Sequence, residues 1–400
     1  MENRIETYVI LGNGIAGVSA AESIRKNNHV CRIIMISEED IIAYSRPMLT
    51  KTSLRSYDLE RTILYPKSWY EENKIEVILN TKIEKLDVEN KRVMTTKGTY
   101  MYDKCIYALG ASNFVPPILG ADLKQVINVR TYKDIEESKR LALGATSAVI
   151  IGGGVIGLEM ALELLKLDIK VTVLEALPYL MPRLLDEETA KTLEALLNPI
   201  EFITGANVSS ITAGEKAADV SLADGTRIPA DFVVISTGVR ANTKIALEAG
   251  IECERAIVVN EYMETSIPDV YACGDCVQYN GMNYALWSQA KVQGEVAGAN
   301  ACGKRLRYGM IDSSLLLNSP KFALFAAGDP GKNPDLQYTV EVEEKDDNTM
   351  FTVNPSFTKY IQKRWYINGK LTGAVQIGSL NGIDSLRKQI FTEKEVYDEL

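Results

Sequence analysis

Six residues near the start of the chain, Gly12-Asn13-Gly14-Ile15-Ala16-Gly17, and six more 140 positions later, Gly152-Gly153-Gly154-Val155-Ile156-Gly157, carry glycine at the same first, third and sixth places. This pattern lets main chain bind a pyrophosphate. The first glycine makes a tight turn, the second brings backbone against the phosphates with no Cβ in the way, and the third lets a helix pack closely on a strand. Unpaired N–H groups and the positive dipole end of the following helix then hold the negative charge. A carboxylate able to accept ribose hydroxyls stands downstream of each pattern: Glu38, 21 residues after Gly17, and Glu175, 18 residues after Gly157. Such a carboxylate repels a 2′-phosphate. Ala176, Leu177 and Pro178 follow Glu175, with no adjacent arginine to neutralise one, so the second site is expected to take NADH in preference to NADPH through Gly152, Gly154, Ile156, Gly157 and Glu175. A tight turn and two solvated strand ends are the alternative for these residues; it leaves their repetition unexplained.

The elements that must position these residues are legible around them. Tyr8–Leu11 and Ala148–Ile151 are apolar runs entering each pattern, Val18–Ile24 and Leu158–Leu167 are helix-like runs leaving it, and Ile33–Ile36 and Val171–Leu174 end at the two carboxylates. Both are Rossmann arrangements. The expected fold is therefore α/β, with two Rossmann-like three-layer nucleotide-binding domains and a small α+β C-terminal domain. The first domain is expected to be discontinuous, 1–117 with 242–315, the second to run over 118–241 and the third over 316–400. Short strands around Glu76–Leu79, Lys82–Val88, Arg92–Thr96 and Lys104–Ala108 suggest a meander laid on the first sheet, and Glu201–Val234, with a turn at Asp224-Gly225, suggests another. Ser112–Leu119 reads as a linker, Ala256–Asn260 and Asp269–Cys273 as strands, and Ser288–Cys302 as a helix. The acidic stretch Glu341–Asn348 is expected at a solvated hairpin tip. Tyr360–Ile367 and Lys370–Ile377 flank Asn368-Gly369, a strong hairpin signal.

Composition excludes several functions. A net charge of −9 argues against general nucleic-acid binding or adsorption to an anionic membrane. The most apolar region, Ser147–Leu167, is cut by four glycines and carries Glu159 and Glu163, so no transmembrane helix is expected. Met1-Glu2-Asn3-Arg4 is not expected to start a signal peptide. With six cysteines scattered over 400 residues, a disulfide scaffold is not expected and a cytoplasmic location is. His29 is the one histidine, which leaves no histidine dyad or His-rich metal centre; no metal site is expected. Cys273-Gly274-Asp275-Cys276 has the spacing of a redox pair, but it has no second pair to complete a metal site.

With these motifs the chain resembles the two-dinucleotide-binding flavoprotein reductases over roughly its first 315 residues. Cys105–Ala111, containing Gly110, is similar to the strand that returns from their flavin domain, and Ser236–Arg240, containing Gly238, to its counterpart leaving the nucleotide domain. Thr265–Asp275 is similar to their late flavin motif, whose Asp binds the ribityl chain. The resemblance therefore assigns Gly12, Gly14, Ala16, Gly17, Glu38, Gly274 and Asp275 to FAD and makes the Cys-x-x-Cys spacing incidental. It also implies Arg130 and the backbone around Ile83 near the flavin nucleotide, and Trp287 at the ring edge. Pro182 and Arg183 match a segment beside the bound NADH.

What receives the electrons is suggested by Tyr44-Ser45-Arg46-Pro47-Met48-Leu49-Thr50-Lys51. Disulfide reductases of this family carry a cysteine pair in this region, and peroxidase-type or oxidase-type members one cysteine. Here none lies between Cys31 and Cys105. The segment instead resembles the reductases of rubredoxin and of oxygenase ferredoxins, and the flavin-binding part of the nitrite reductase large subunit, as does the C-terminal run Tyr366–Gly378. Such a likeness implies FAD and NADH as cofactors, with Lys51 beside the flavin and Glu159 as its ion-pair partner. A lysine ammonium there would stabilise the negative charge that arrives with a hydride. Alternatively Glu159 is a first-turn carboxylate favoured by the helix dipole and Lys51 a surface residue. Arg46 would hold the FAD pyrophosphate or stand as an exposed loop arginine.

The expected partner is a small electron-transfer protein of the rubredoxin or ferredoxin type, and the chain itself a monomer or homodimer. The scattered cysteines do not supply the clustered ligands of an iron–sulfur centre, so an electron-supplying subunit of a nitrite reductase system is an alternative while a complete one is not. An NADH oxidase using dioxygen and a non-catalytic redox sensor are the remaining alternatives.

Overall fold

Runs rich in isoleucine and valine, apolar on both faces, form the two parallel sheets that organise the chain. The first has the order Val270–Ala272, Lys104–Tyr107, Thr7–Leu11, Arg32–Ile36, Ile75–Ile78. In the second the order is Glu201–Thr204, Lys170–Glu175, Ser147–Ile151, Phe232–Ile235, Val126–Asn128. The computed structural model describes residues 4–52, 54–213, 218–309, 312–319, 322–346 and 359–391. Among these, no helix is long and apolar enough to cross a membrane.

Each sheet places its fingerprint strand at the centre, flanked by parallel neighbours on both sides. The helices Ile15–Asn27 and Val155–Leu165 leave those strands after the glycine turns. Helix Ile15–Asn27 packs on Trp287–Ala301 through small residues. A Cβ at Gly294 would stand 2.2 Å from the Ala16 carbonyl oxygen, and one at Gly298 2.4 Å from that of Ala20. This close approach seats the late motif at Gly274 against Ala16.

Two of the expected strands in each meander region belong elsewhere. Ile75–Ile78 and Lys104–Tyr107 join the first parallel sheet, and the antiparallel meander is Ile83–Asp87, Arg92–Thr95 and Gly98–Met101. Gly98–Met101 is mostly exposed and so lacks the apolar alternation that would reveal it. Likewise Glu201–Thr204 and Phe232–Ile235 are parallel strands, while Val208–Ala213, Ala218–Leu222 and Arg227–Ala230 form the second meander around the Asp224-Gly225 turn. Part of the expected linker is a strand too: Ala111–Asn113 pairs antiparallel with Val239–Ala241, joining the chain's outward and return crossings between the sheets.

A third, antiparallel sheet has the order Leu315–Ser319, Phe322–Gly328, Lys370–Ile377, Lys359–Ile367, Thr339–Asp346. The Asn368-Gly369 turn is as expected, with both residues at positive φ. The acidic stretch differs from expectation. Thr339–Asp346 is the sheet's edge strand, in register with Lys359–Ile367, and an edge strand tolerates charge on its exposed side; 347 and 348 lie outside the described residues. One face of this sheet carries the helix Ile383–Ile390, whose Ile383 and Leu386 join Phe325, Leu371 and Ala374 in a small apolar core. Leu324, Trp365 and Ile377 belong instead to the apolar core around Val155–Leu165, together with Tyr44, Leu49, Leu54 and Tyr57. The Tyr44–Lys51 segment is thus drawn from the first sheet onto the second by apolar burial.

Candidate active site

Gly12 and Gly152 adopt φ +107° and +112°, and a Cβ on either would lie 2.3 or 2.2 Å from the carbonyl oxygen of Ala108 or Ser236. Only glycine fits both constraints. A Cβ at Gly17 or Gly157 would lie 2.1 Å from the carbonyl oxygen of Gly12 or Gly152, whereas at Gly14 and Gly154 it meets nothing within 4 Å. Gly14 and Gly154 are the N-caps of their helices and have no side-chain cap. The two turns are therefore alike in geometry, each closed behind and open in front of a helix N-terminus. That is the form of a pyrophosphate cradle, and it fits one dinucleotide at each site.

The two carboxylates differ. Glu175 is half-buried and accepts hydrogen bonds from the amides of Gly153 at 2.8 Å and Leu177 at 2.9 Å, which holds it beside its cradle. Glu38 is exposed just past its strand. Ile156 is half-buried in the first turn of its helix, and Gly238 is exposed at φ +98° next to the inter-sheet crossing.

Around the first cradle, Arg130 donates to Asp275 at 2.7 Å and to the Ala111 carbonyl at 3.0 Å. Its backbone is fixed by the following helix: the Asp134 carboxylate accepts from the Arg130 and Thr131 amides, and Thr131 and Asp134 form a capping box. A Cβ at Gly110 would sit 3.7 Å from the Arg130 guanidinium. Gly110, Arg130 and Asp275 thus come together. Arg46 lies beside them, donating to the Arg130 carbonyl at 2.7 Å and to the Tyr44 hydroxyl at 3.1 Å, and pairing with Glu39. It is a partly buried network member, unlike an exposed loop arginine. Ile83 is buried and lines an open cleft of about 680 Å³ with Tyr107, Leu109 and Asn242. Trp287 begins the long helix and is 37% exposed.

Lys51 and Glu159 also meet. The short helix Met48–Lys51 packs on Val155–Leu165; Lys51 Nζ stands 3.8 Å from Glu159 Oε1, and the Thr50 hydroxyl hydrogen-bonds the other carboxylate oxygen. Glu159 is only 7% exposed. Burial holds its carboxyl above the usual carboxylate range, and the nearby charge of Glu163 adds to this against the opposing pull of Thr50 and Lys51.

Cys273 and Cys276 are fully buried and free. Burial pushes the Cys276 thiol up to about 12 and that of Cys273 well above its ordinary value, which suppresses the thiolate that redox chemistry needs. His29 is exposed in a bend. Sequence reasoning missed Glu39, Thr50 and Gln293. Gln293, buried, accepts the Gly274 amide at 2.8 Å and donates to the Tyr308 hydroxyl at 3.2 Å; only its place on an apolar helix hinted at a polar task.

The model of the pyridine nucleotide-disulphide oxidoreductases matches residues 6–294. The chain belongs to that family. It is 30% identical over 392 residues to the assimilatory nitrate reductase electron transfer subunit of Bacillus subtilis (strain 168), covering 96% of this chain and 49% of that one. This chain therefore spans about half the length of that relative. It is 33% identical over 306 residues to the rubredoxin-NAD(+) reductase of Pseudomonas putida, covering 74% and 80% of the two chains. The solved NADH:rubredoxin oxidoreductase of Clostridium acetobutylicum is similar over 99% of this chain and 97% of its own, with a TM-score of 0.79 and 27% identity.

Proposed function

We propose that this protein is an FAD-dependent NADH oxidoreductase whose flavin passes electrons directly, without a cysteine relay, to a small electron-transfer protein of the rubredoxin or ferredoxin type. When bound, FAD supplies a ring that accepts a hydride from NADH and gives up electrons singly. Gly12, Gly14, Ala16 and Gly17 cradle the FAD pyrophosphate, Glu38 its ribose hydroxyls, and Ile83, Gly110, Arg130, Gly274 and Asp275 the rest of its length, with Arg46 held near the phosphates. Gly152, Gly154, Ile156, Gly157, Glu175 and Gly238 hold NADH. Lys51 presents an ammonium to the ring, Glu159 orients that ammonium, and Trp287 covers the ring edge.

One observation carries this reading. The helix that brings the first domain against the NADH-side helix ends in Lys51, paired with Glu159 at 3.8 Å, in a segment that holds no cysteine between Cys31 and Cys105. Anaerobic reductive titration tests it: the holoenzyme should consume two electrons per FAD, and uptake of four would reveal a redox-active disulfide.

A second reading, an electron-supplying subunit of an assimilatory nitrate or nitrite reductase system, is favoured by the likeness to the Bacillus subtilis subunit over 96% of this chain. It keeps the same internal chemistry and changes only the acceptor.

A further inference from the structure

The helix Val155–Leu165 carries a second buried carboxylate one turn beyond Glu159: Glu163, 4% exposed. Residues four apart on a helix share a face, with Cβ atoms about 5–6 Å apart, so the two carboxyl groups are within reach of one another. Two of their four oxygens have donors. The Thr50 hydroxyl serves Glu159 Oε2, and the Lys166 ammonium serves Glu163 Oε1. The other two, Glu159 Oε1 and Glu163 Oε2, are buried without a hydrogen-bond partner. Lys51 Nζ, at 3.8 Å, pairs with Glu159 Oε1 electrostatically but lies beyond hydrogen-bond length.

An unpartnered buried oxygen is costly, and two adjacent buried negative charges more so. One proton placed between these oxygens gives each a partner and removes one of the charges. We propose that Glu159 and Glu163 hold a single proton between them at neutral pH, leaving the Lys51 ammonium without a full counter-charge and so free to stabilise negative charge on the flavin. Glu163 is then a positioning residue acting through Glu159. This rests on the reading of Lys51 as the group beside the flavin.

Other charged groups on the packed elements do not compete for the proton. Lys51 and Lys166 are the cations facing the pair. On the strands beneath the helix, Lys170 pairs with Glu201 at 2.9 Å, Thr172 bonds the same glutamate, and Glu175 is bound to main chain. The upward displacement of Glu159 by burial and by Glu163 has the same direction.

Infrared spectroscopy of the FAD-loaded enzyme in deuterated buffer tests the proton itself. Wild-type protein should show a protonated-carboxyl band at neutral pH that disappears as the pH rises. Glu163→Gln and Glu159→Gln should each abolish it, and Glu163→Asp should retain it. Absence of the band in wild-type protein, or its survival in Glu163→Gln, would overturn the proposal. In stopped-flow reduction by NADH, Glu163→Gln should move the inflection of the pH profile downward, from above neutrality to below it; an unmoved inflection counts against it. The wild-type titration stands even where a variant loses FAD. If Lys51→Met slows flavin reduction while no band exists, the shared proton fails and the Lys51 reading survives.

Discussion

A methyl group added at Gly152 and one added at Gly154 should have opposite consequences, although the residues are two apart. At Gly152 it meets the Ser236 carbonyl oxygen at 2.2 Å on a backbone at φ +112°, so Gly152→Ala should cost about 2–4 kcal/mol of stability. At Gly154 the methyl enters open space on an extended backbone, φ −82°. Gly154→Ala should fold normally and weaken NADH binding about tenfold, or 1.4 kcal/mol. Thermal melts together with NADH titrations separate the two effects; equal loss of stability in both variants would contradict the cradle geometry. Lys51→Met should retain FAD and slow its reduction by NADH about a hundredfold to a thousandfold, on the order of what an electrostatic donor supplies, with stopped-flow absorbance as the readout. An unchanged rate removes Lys51 from the chemistry. The glycines were legible because backbone geometry admits few residue types there. Thr50, Glu39 and Gln293 were not, since a threonine or glutamine becomes a site residue only when a distant element folds against it.

At the scale of elements, the informative contact is between the short helix Met48–Lys51 and the helix Val155–Leu165. Four residues do not hold a helix by themselves; burial of Tyr44, Leu49, Leu54 and Tyr57 in the second core holds this one. The third sheet contributes Leu324, Trp365 and Ile377 to the same core. Lys363, 9% exposed, pairs with Asp186 at 2.5 Å and Glu188 at 2.8 Å at the start of helix Glu187–Leu196. Burial alone would raise the Asp186 carboxyl, but Lys363 and Thr189 outweigh it and hold it below its ordinary value. Stability from a depressed carboxylate is present above its unfolded value, about 3.9, and lost as the pH falls through the folded one. Lys363→Met should therefore cost about 1–2 kcal/mol near neutrality, and the difference from wild type should shrink below about pH 4. Melting temperatures across that range check the sign; a gap that widens in acid would contradict it. The register of each strand was only partly legible. Gly98–Met101 is too exposed to show alternation, and the charge of Thr339–Asp346 hid an edge strand.

For the whole molecule, the repeated fingerprint foretold two parallel sheets and their central strands, because hydrophobic runs with a glycine turn admit little else. The sharing of one core between the second and third sheets was not foreseeable from local patterning; it depends on contacts between residues nearly two hundred positions apart, such as Asp186 with Lys363. This assembly sets Lys51 of the first unit against Glu159 of the second while leaving Trp287 exposed at the head of its helix; under the proposed function, the route out of the flavin leads to the surface. The most direct test is parallel stopped-flow reoxidation of NADH-reduced enzyme by rubredoxin, ferredoxin, a disulfide and dioxygen. Rapid oxidation by an electron-transfer protein, with the disulfide and dioxygen slow, is the predicted result; preferential oxidation by the disulfide or by dioxygen would contradict direct transfer from flavin to a protein acceptor.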